Sequence, residues 1–245
     1  MTLYIYAISQ ADGSELDMPP GIAGQQVYRI TSGSLGVFVS DYHAETIRAE
    51  RRHIAASQGV LRALQAAGMD LLPMAFGTLT SSADAIVDLI SRHEDELLAQ
   101  LDRLGGTVEM GVRLNLDVPD PIAYVVEHSA ELRQARDRAF GRRKSPSHEE
   151  RLRLGQLCES ALRRFQEAQT AQLVELLTPS CKAISSLPTQ GDRQVANLAV
   201  LVPRAEVDAF EAAVSAAAET FEDDLAFSLN GPWPPHNFVH VELNA

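Results

Sequence analysis

An alternation of apolar and polar side chains in the middle of the chain limits the fold most strongly. Over residues 107–117, Val, Met, Val, Leu and Leu occupy every second position, and they alternate with Glu109, Gly111, Arg113 and Asn115. A period of two is that of a β-strand with one buried face. The sequence therefore predicts a long half-buried strand here.

The periodicity downstream of this strand predicts five further elements. They are a helix over 149–177, strands over 181–187 and 195–202, an Ala-rich helix over 206–221 and a strand over 225–229. With the strand at 107–117, the order is strand, helix, strand, strand, helix, strand, as in a ferredoxin-like fold. The inward face of the long helix is predicted to carry Leu154, Leu157, Cys158, Ala161, Leu162 and Phe165. A basic stretch over 136–147 is predicted to be an exposed connection.

The first 104 residues predict three strands, a helix, a strand and a second helix. The strands are expected at 3–8, 26–30, 35–40 and 71–76, the last of them buried on both faces because it is almost wholly apolar. The first helix is expected at 43–67 with Gly68 as its C-terminal cap. Its apolar positions are Ile47, Ile54, Leu61 and Leu64. The second helix begins at a capping box over 81–84 and carries Ile86, Ile90, Leu97, Leu101 and Leu104 on one side.

These elements predict an α+β protein of two domains with a boundary at Gly105-Gly106. Residues 1–105 would form a ferredoxin-like variant. Residues 106–245 would form a ferredoxin-like or other two-layer α+β domain that ends in a tail containing proline and tryptophan. The alternative is one continuous sheet, because only two glycines and no linker mark the boundary.

Charge and composition exclude several classes of protein. The formal net charge is −12, whereas a nucleic-acid binder needs a basic face to replace counterions. Hydrophobic residues make up 45% of the chain, which is typical of a globular protein. The N-terminus lacks the pattern of a secretory signal, and no apolar run approaches the roughly 20 residues that span a bilayer. We therefore expect a cytoplasmic protein with no membrane span.

No constellation of residues predicts catalysis, a metal or a cofactor. Cys158 and Cys181 lie far apart in the sequence and in no metal-binding spacing. His236 and His240 have the i, i+4 spacing, but the prolines before them favour extended chain on the surface. His53 is predicted to be a core or interface histidine that is hydrogen-bonded to the backbone. Neither a Gly-x-Ser-x-Gly elbow nor a phosphate-binding loop occurs.

Two segments combine apolar bulk with residues that restrict or free the backbone. In the first, Pro73 is confined to the start, edge or bulge of a strand, and Phe76 is expected to bury a large area. Gly77 is expected to let the chain turn where a side chain would collide. In the second, prolines stiffen an extended tail, and Trp233 either fixes the tail to its own protein or offers a platform to a partner. The candidate structural or partner-binding residues are Leu72, Pro73, Phe76, Gly77, Gly231, Pro232, Trp233, Pro234 and Pro235.

Four motifs in order resemble the gas vesicle protein F/L family over nearly the whole chain. The first is Leu-Tyr-Ile-Tyr-Ala-Ile at 3–8, and the second is Leu-Pro-Met-Ala-Phe-Gly-Thr at 72–78. The others are Val-Glu-Met-Gly-Val-Arg at 108–113 and Gly-Pro-Trp-Pro-Pro-His-Asn-Phe-Val at 231–239. The resemblance implies a ferredoxin-like N-terminal domain, an α+β C-terminal domain and no enzymatic activity.

The same resemblance implies a function in the assembly of gas vesicles. Members of the family are expected to bind the hydrophobic shell subunit or other accessory proteins, so we predict a cytoplasmic protein associated with gas vesicles. The physical reason is that such a subunit exposes strand edges and apolar surface until it polymerises. The rival hypothesis is an enzyme or a module that binds haem or flavin, since ferredoxin-like domains host many functions.

Overall fold

The computed structural model describes residues 2–11, 16–140 and 147–240. In these residues, nine strands form two separate sheets, and seven helices accompany them. The strands are β1 (Thr2–Gln10), β2 (Val27–Ser32), β3 (Leu35–Tyr42), β4 (Leu72–Pro73), β5 (Leu79–Thr80), β6 (Thr107–Leu116), β7 (Ala183–Ser186), β8 (Gln194–Pro203) and β9 (Leu225–Trp233). The helices are α1 (Arg51–Ala66), α2 (Ala83–Arg92), α3 (Glu94–Leu104), α4 (Pro121–His128), α5 (Ala130–Phe140), α6 (His148–Leu177) and α7 (Val207–Ala218). The protein is therefore a mixed α/β protein, and the alternative of one continuous sheet is wrong.

The backbone divides into two compact units that are interleaved along the chain. The first unit contains the chain up to Glu109, Leu201–Ala205 and the chain from Gly231 onward. The second contains Met110–Val200 and Glu206–Asn230. A boundary between two domains at residues 105 and 106 stays a prediction.

The first sheet has the order β2-β3-β1-β4, and β5 also pairs with β1. Strand β1 is antiparallel to β3, β4 and β5, and β2 and β3 form an antiparallel hairpin. This hairpin confirms the two predicted strands and the turn between them, where Gly33 has a φ of 56°. Seven consecutive residues of β1 are buried, which also confirms the predicted first strand.

The core of the first unit includes tyrosines whose hydroxyl groups are satisfied by hydrogen bonds. The Tyr6 hydroxyl lies 2.9 Å from the Ser40 hydroxyl and accepts the backbone N–H of Ile22 at 2.7 Å. The Tyr4 hydroxyl lies 3.2 Å from Oγ of Ser57 on α1. These partners allow two large aromatic side chains to be buried without an unpaired polar group.

Helix α1 is shorter than predicted. It begins at Arg51 and not at residue 43, because Glu50 has an extended backbone conformation. Ile47 therefore packs against the core from a segment outside the helix, and Ile54 is 41% exposed. At the other end Gly68 has a φ of 80° and donates its N–H to Gln65 O at 2.9 Å, so the predicted cap is confirmed.

The predicted second helix is two helices, α2 and α3, that meet at His93. The Ser82 hydroxyl accepts the N–H of Ala85 at 3.1 Å, so Ser82 is the N-cap. Because alanine follows at the third position, the reciprocal bond of a capping box is absent. All five predicted inward residues of this region are buried.

The second sheet has the order β7-β8-β6-β9. Its strand β6 confirms the long predicted strand to within one residue, although Glu109 is buried and not on an exposed face. Strand β7 is shorter than predicted, and β9 extends four residues further than predicted, to Trp233. Strand β8 ends at Pro203, where a ladder hydrogen bond has no donor.

The second unit contains two helices that the sequence analysis missed, α4 and α5. Asp120 accepts the N–H groups of Ile122 and Ala123 at 3.0 Å each, and Pro121 occupies the first helical turn. Helix α5 covers residues 136–140, so the start of the predicted connection is helical; residues 141–146 lie outside the described part of the chain.

Helix α6 confirms the predicted long helix, with Ser147 and Glu150 in a capping box. Of its predicted inward residues only Ala161 is fully buried, and the others are half-buried. In its C-terminal half, Leu173 and Leu177 are fully buried. Within the described ranges, no helix combines the length and the apolar character needed to span a bilayer.

Candidate functional site

The segment Leu-Pro-Met-Ala-Phe-Gly-Thr follows the outer side of β1 and pairs with it at both ends. Leu72 and Pro73 lie opposite Ile8 and Ala7, and the Met74 N–H donates to Tyr6 O at 2.9 Å. Further along, the Ile5 N–H donates to Thr78 O at 3.0 Å before β5 resumes the ladder. Between these points the segment leaves the sheet. Pro73 therefore lies in a short outer strand, where its missing N–H costs little.

A turn at Gly77 returns the segment to the sheet. Gly77 has a φ of 93°, which favours glycine, and its N–H donates to the Tyr4 hydroxyl at 3.3 Å. Thr78 closes the turn, because its N–H and its hydroxyl both donate to Ala75 O, at 3.2 and 2.8 Å.

The prediction of a strand over 71–76 that is buried on both faces is wrong. Burial ends at Pro73, and Phe76 is 38% exposed because the backbone leaves the ladder before it. The centroid of the Phe76 ring lies 6.1 Å from that of the Tyr4 ring, so the ring is packed on one side and partly exposed to solvent. Phe76, which was expected to bury a large apolar area, thus leaves part of its apolar surface exposed.

The second segment passes from strand to tail. Gly231, Pro232 and Trp233 complete β9, and Trp233 is half-buried. Pro234 and Pro235 are buried, and a 3-10 helix follows over His236–Phe238. The tail is thus packed against the protein, and the expectation that His236 lies in a surface tail is wrong.

Hydrogen bonds attach this tail to α3 and β6. Both carboxylate oxygens of Glu109 accept from Asn237: the backbone N–H at 2.8 Å and the side-chain amide at 2.6 Å. The Arg103 guanidinium donates to the backbone oxygen of Phe238. Burial raises the pKa of the Glu109 carboxyl above its ordinary value, and the two bonds from Asn237 oppose that rise.

The two segments meet at a cavity of about 330 Å³, which we call the motif pocket. The first segment and its neighbours in β1 and α3 supply most of the wall, and the tail supplies two residues. The lining residues are Ile8, Leu72, Pro73, Met74, Ala75, Thr78, Leu97, His236 and Val239. The lining side chains are therefore apolar except for the Thr78 hydroxyl and the His236 imidazole.

His236 is the most polar group of the motif pocket. Burial lowers the pKa of its imidazole, which favours the neutral ring. Its Nε2 atom is buried and has no hydrogen-bond partner among the described residues. A buried nitrogen without a partner is unfavourable, so a group that could pair with it would be stabilised there.

The structure brings only some of the candidate residues together. Leu72 and Pro73 line the motif pocket, whereas Phe76 and Gly77 belong to the turn beside its wall. Gly231, Pro232, Trp233, Pro234 and Pro235 do not line it, but lead the chain to His236. Sequence reasoning missed Glu109 and Asn237. The alternation of β6 placed Glu109 with Arg113 and Asn115 on the polar side of the strand, so the local pattern gave no signal that it would be buried.

The lining of the motif pocket contains one ionisable side chain, that of His236. It contains no lysine or arginine that could pair with the propionates of haem or the phosphate of a flavin. In the described part of the chain, no three His, Cys, Asp or Glu side chains are grouped so as to hold a metal ion. The Nδ1 atom of His53 lies 3.1 Å from Arg48 O, in line with its predicted backbone hydrogen bond.

Comparison with known proteins gives the class of protein. Gas vesicle protein F of Streptomyces sp. strain CB03234 is 30% identical over 244 residues, which cover 98% of this chain and 100% of that protein. Gas vesicle protein F of Dolichospermum flosaquae is 26% identical over 242 residues, which cover 98% of each. The protein is thus related to accessory proteins of gas vesicles. A family model described as gas vesicle synthesis protein GvpL/GvpF matches residues 2–240, and the chain belongs to that family.

Solved structures of the same family share the fold. The crystal structures of GvpF from Microcystis aeruginosa and from Anabaena sp. PCC7120 superpose with TM-scores of 0.81 and 0.83. Each is 24% identical to this chain, and each comparison covers 98% of this chain and 99% of the other. At that identity the likeness concerns the fold, and the roles of individual residues are argued from the contacts described above.

Proposed function

We propose that this protein acts in gas vesicle formation by binding the small hydrophobic shell subunit, and that the motif pocket with the adjacent Phe76 provides the contact. The observation that carries the proposal is the meeting of the two segments that resemble family motifs at one apolar cavity. Other accessory proteins of the gas vesicle are the alternative partners. We expect the protein to be associated with gas vesicles in the cytoplasm and to need no cofactor.

The physical case is that a shell subunit must hide apolar surface and strand edges before it polymerises. A cavity of about 330 Å³ can accept apolar side chains of a partner, and its lining carries no charge to be desolvated. Phe76 adds apolar surface beside it, and burial of its exposed 38% would contribute about 1 kcal/mol. The protein then works by presenting a shaped surface and catalyses no reaction.

The fold that presents this surface is, in our proposal, ferredoxin-like in both sheets, with domains at residues 1–105 and 106–245. A ferredoxin-like sheet has its strands in the order 2-3-1-4. Both sheets fit this strand order, the first as β2-β3-β1-β4 and the second as β7-β8-β6-β9. In the first unit the 3-10 helix Ile22–Gly24 lies where the first helix of that fold would be expected.

The test is a binding measurement between the purified protein and the shell subunit. Ala75→Asp places a charge in the apolar wall and should weaken binding at least about tenfold, and Phe76→Ala should weaken it about fivefold. Ala75 and Phe76 are exposed, so neither change should unfold the protein. Matched controls are Ala55→Asp, at an exposed position of α1, and Leu152→Ala, at an exposed position of α6.

The proposal fails if the unchanged protein does not bind the shell subunit, or if the two pocket variants bind as tightly as the two controls. An absorbance spectrum of the purified protein tests the rival hypothesis. A haem or flavin band would favour a ligand-binding module over a binder of the shell subunit.

A further inference from the structure

Glu109 is a buried carboxyl group on β6. It is 7% exposed, and no lysine or arginine forms an ion pair with it among the described residues. Its hydrogen bonds, to the backbone and side chain of Asn237, use one carboxylate oxygen each. A carboxylate in this setting is costly compared with an apolar side chain of similar size. Its presence therefore indicates a need for the geometry that the two bonds impose.

That geometry determines where the tail lies. Asn237 follows His236 directly, and Val239 is two residues further on; His236 and Val239 are the two tail residues that line the motif pocket. The Arg103 guanidinium holds the backbone at Phe238, between Asn237 and Val239. With Asn237 fixed by two bonds and Phe238 by a third, the pocket-lining residues on either side have little freedom to move.

We propose that Glu109 is a positioning residue for the motif pocket, acting through Asn237 to hold His236 and Val239 in the wall. The inference concerns how the wall is assembled, and its effect on a partner rests on the proposed function. Glu109 lies in a buried part of β6, and side chains on strands are held more precisely than those on loops, so the carboxylate gives the tail a defined point of attachment.

The donor and acceptor pattern of this pair gives a reciprocal test. Asn237→Asp brings two carboxylates together and should displace the tail, because like charges repel. Glu109→Gln should be tolerated, since the Asn237 amide can rotate and accept from the new amide. The double variant combines Glu109→Gln with Asn237→Asp. In it, the amide nitrogen of the glutamine can donate to the aspartate, while the amide oxygen accepts the backbone N–H of residue 237. A residue that served only to fill space would show no such rescue.

The position of the tail can be read without any partner. Trp233 is the only tryptophan in the chain and precedes Asn237 by four residues, so its emission reports on the tail. Amide hydrogen exchange over residues 236–240 gives a second measurement. Asn115→Asp is the matched control, because it adds the same charge at a half-buried position of β6 whose side chain has no partner among the described residues.

We expect Asn237→Asp to speed exchange over 236–240 at least tenfold, to shift the Trp233 emission and to weaken binding of the shell subunit about tenfold. The double variant should recover to within about threefold of the unchanged protein on all three measurements. The inference is overturned if Asn237→Asp behaves like Asn115→Asp, or if the double variant is no better than Asn237→Asp. If Asn237→Asp fails to fold, the double variant tests the inference: a folded double variant with near-normal exchange supports it, and a double variant that also fails to fold overturns it. Lack of binding by the unchanged protein counts against the proposed function alone, because exchange and emission still test the positioning role.

Discussion

Gly77 shows how one residue shapes the wall of the motif pocket. Its φ of 93° is unfavourable for any residue with a side chain, although the nearest atom to an added Cβ, Cγ2 of Ile47, would be 3.5 Å away. The restriction is therefore one of backbone conformation and not of space. The sequence analysis correctly predicted a turn here, but its reason, that a side chain would collide, was wrong.

We expect Gly77→Ala to lower the free energy of unfolding by about 1–2 kcal/mol through backbone strain. Chemical denaturation measures it. Gly59→Ala is the control, since Gly59 lies within α1 with open space around it, and alanine there should raise the free energy by up to about 1 kcal/mol. Equal effects of the two substitutions would contradict this account of the turn.

Glu109 makes stability depend on pH. Burial raises the pKa of its carboxyl above the ordinary value of 4.5, so the folded state binds the proton more tightly than the unfolded state. The stability that follows is fully present below pH 4.5 and is lost as the pH rises through the folded pKa. The charged form at neutral pH is therefore the less favourable one for folding.

Glutamine does not titrate, so Glu109→Gln isolates this contribution. We expect the free energy of unfolding of the unchanged protein, relative to Glu109→Gln, to increase as the pH falls from about 7.5 to about 5. Denaturant titrations of both proteins at the two pH values measure it. Glu45→Gln removes an exposed carboxyl of the same unit and should show a much smaller change. A relative stability that is constant with pH would refute the prediction.

At the scale of elements, α6 is buried unevenly along its length. Leu173 is fully buried, whereas Leu152 is 57% exposed. Neither residue belongs to the face that the sequence analysis predicted to be inward, so the sequence predicted a continuous helix correctly but did not show which of its turns have a neighbour. Burial depends on what packs against each turn, and the period records only that one side is apolar.

This difference predicts unequal effects on stability. Leu173→Ala should lower the free energy of unfolding by about 2–5 kcal/mol, because it leaves a cavity. Leu152→Ala should change it by less than about 0.5 kcal/mol. Both substitutions remove the same atoms from the same helix, so thermal or chemical unfolding compares them directly. Similar losses would mean that the N-terminal half of α6 is packed more tightly than its exposure indicates.

Elements with strong local signals were predicted, and those that depend on distant partners were not. Strand β6 follows from its alternation, and the cap at Gly68 from local chemistry. Helix α4 had a signal in Asp120 and Pro121 that was overlooked. By contrast, the apolar run over 71–76 predicted a strand, but pairing with β1 lasts for only two residues before the segment leaves the sheet.

At the scale of the whole molecule, segments far apart in sequence form one site. The first and last family motifs lie more than 220 residues apart, yet β1 and the tail both contribute to the motif pocket. The chain from Gly231 onward belongs to the same compact unit as the first strand. The domain boundary predicted at Gly105-Gly106 did not indicate that the tail belongs to the same unit as the first strand.

The sequence by itself determined that the protein is a mixed α/β protein, the main strands and helices, several caps and turns, and membership of the family, because each depends on local periodicity, backbone preference or a short motif. Only the tertiary structure decided that Phe76 is exposed, that Glu109 is buried against Asn237, and that His236 lines a pocket. These properties depend on which surfaces meet after folding. A side chain has the same local preferences whether a partner segment covers it or leaves it open.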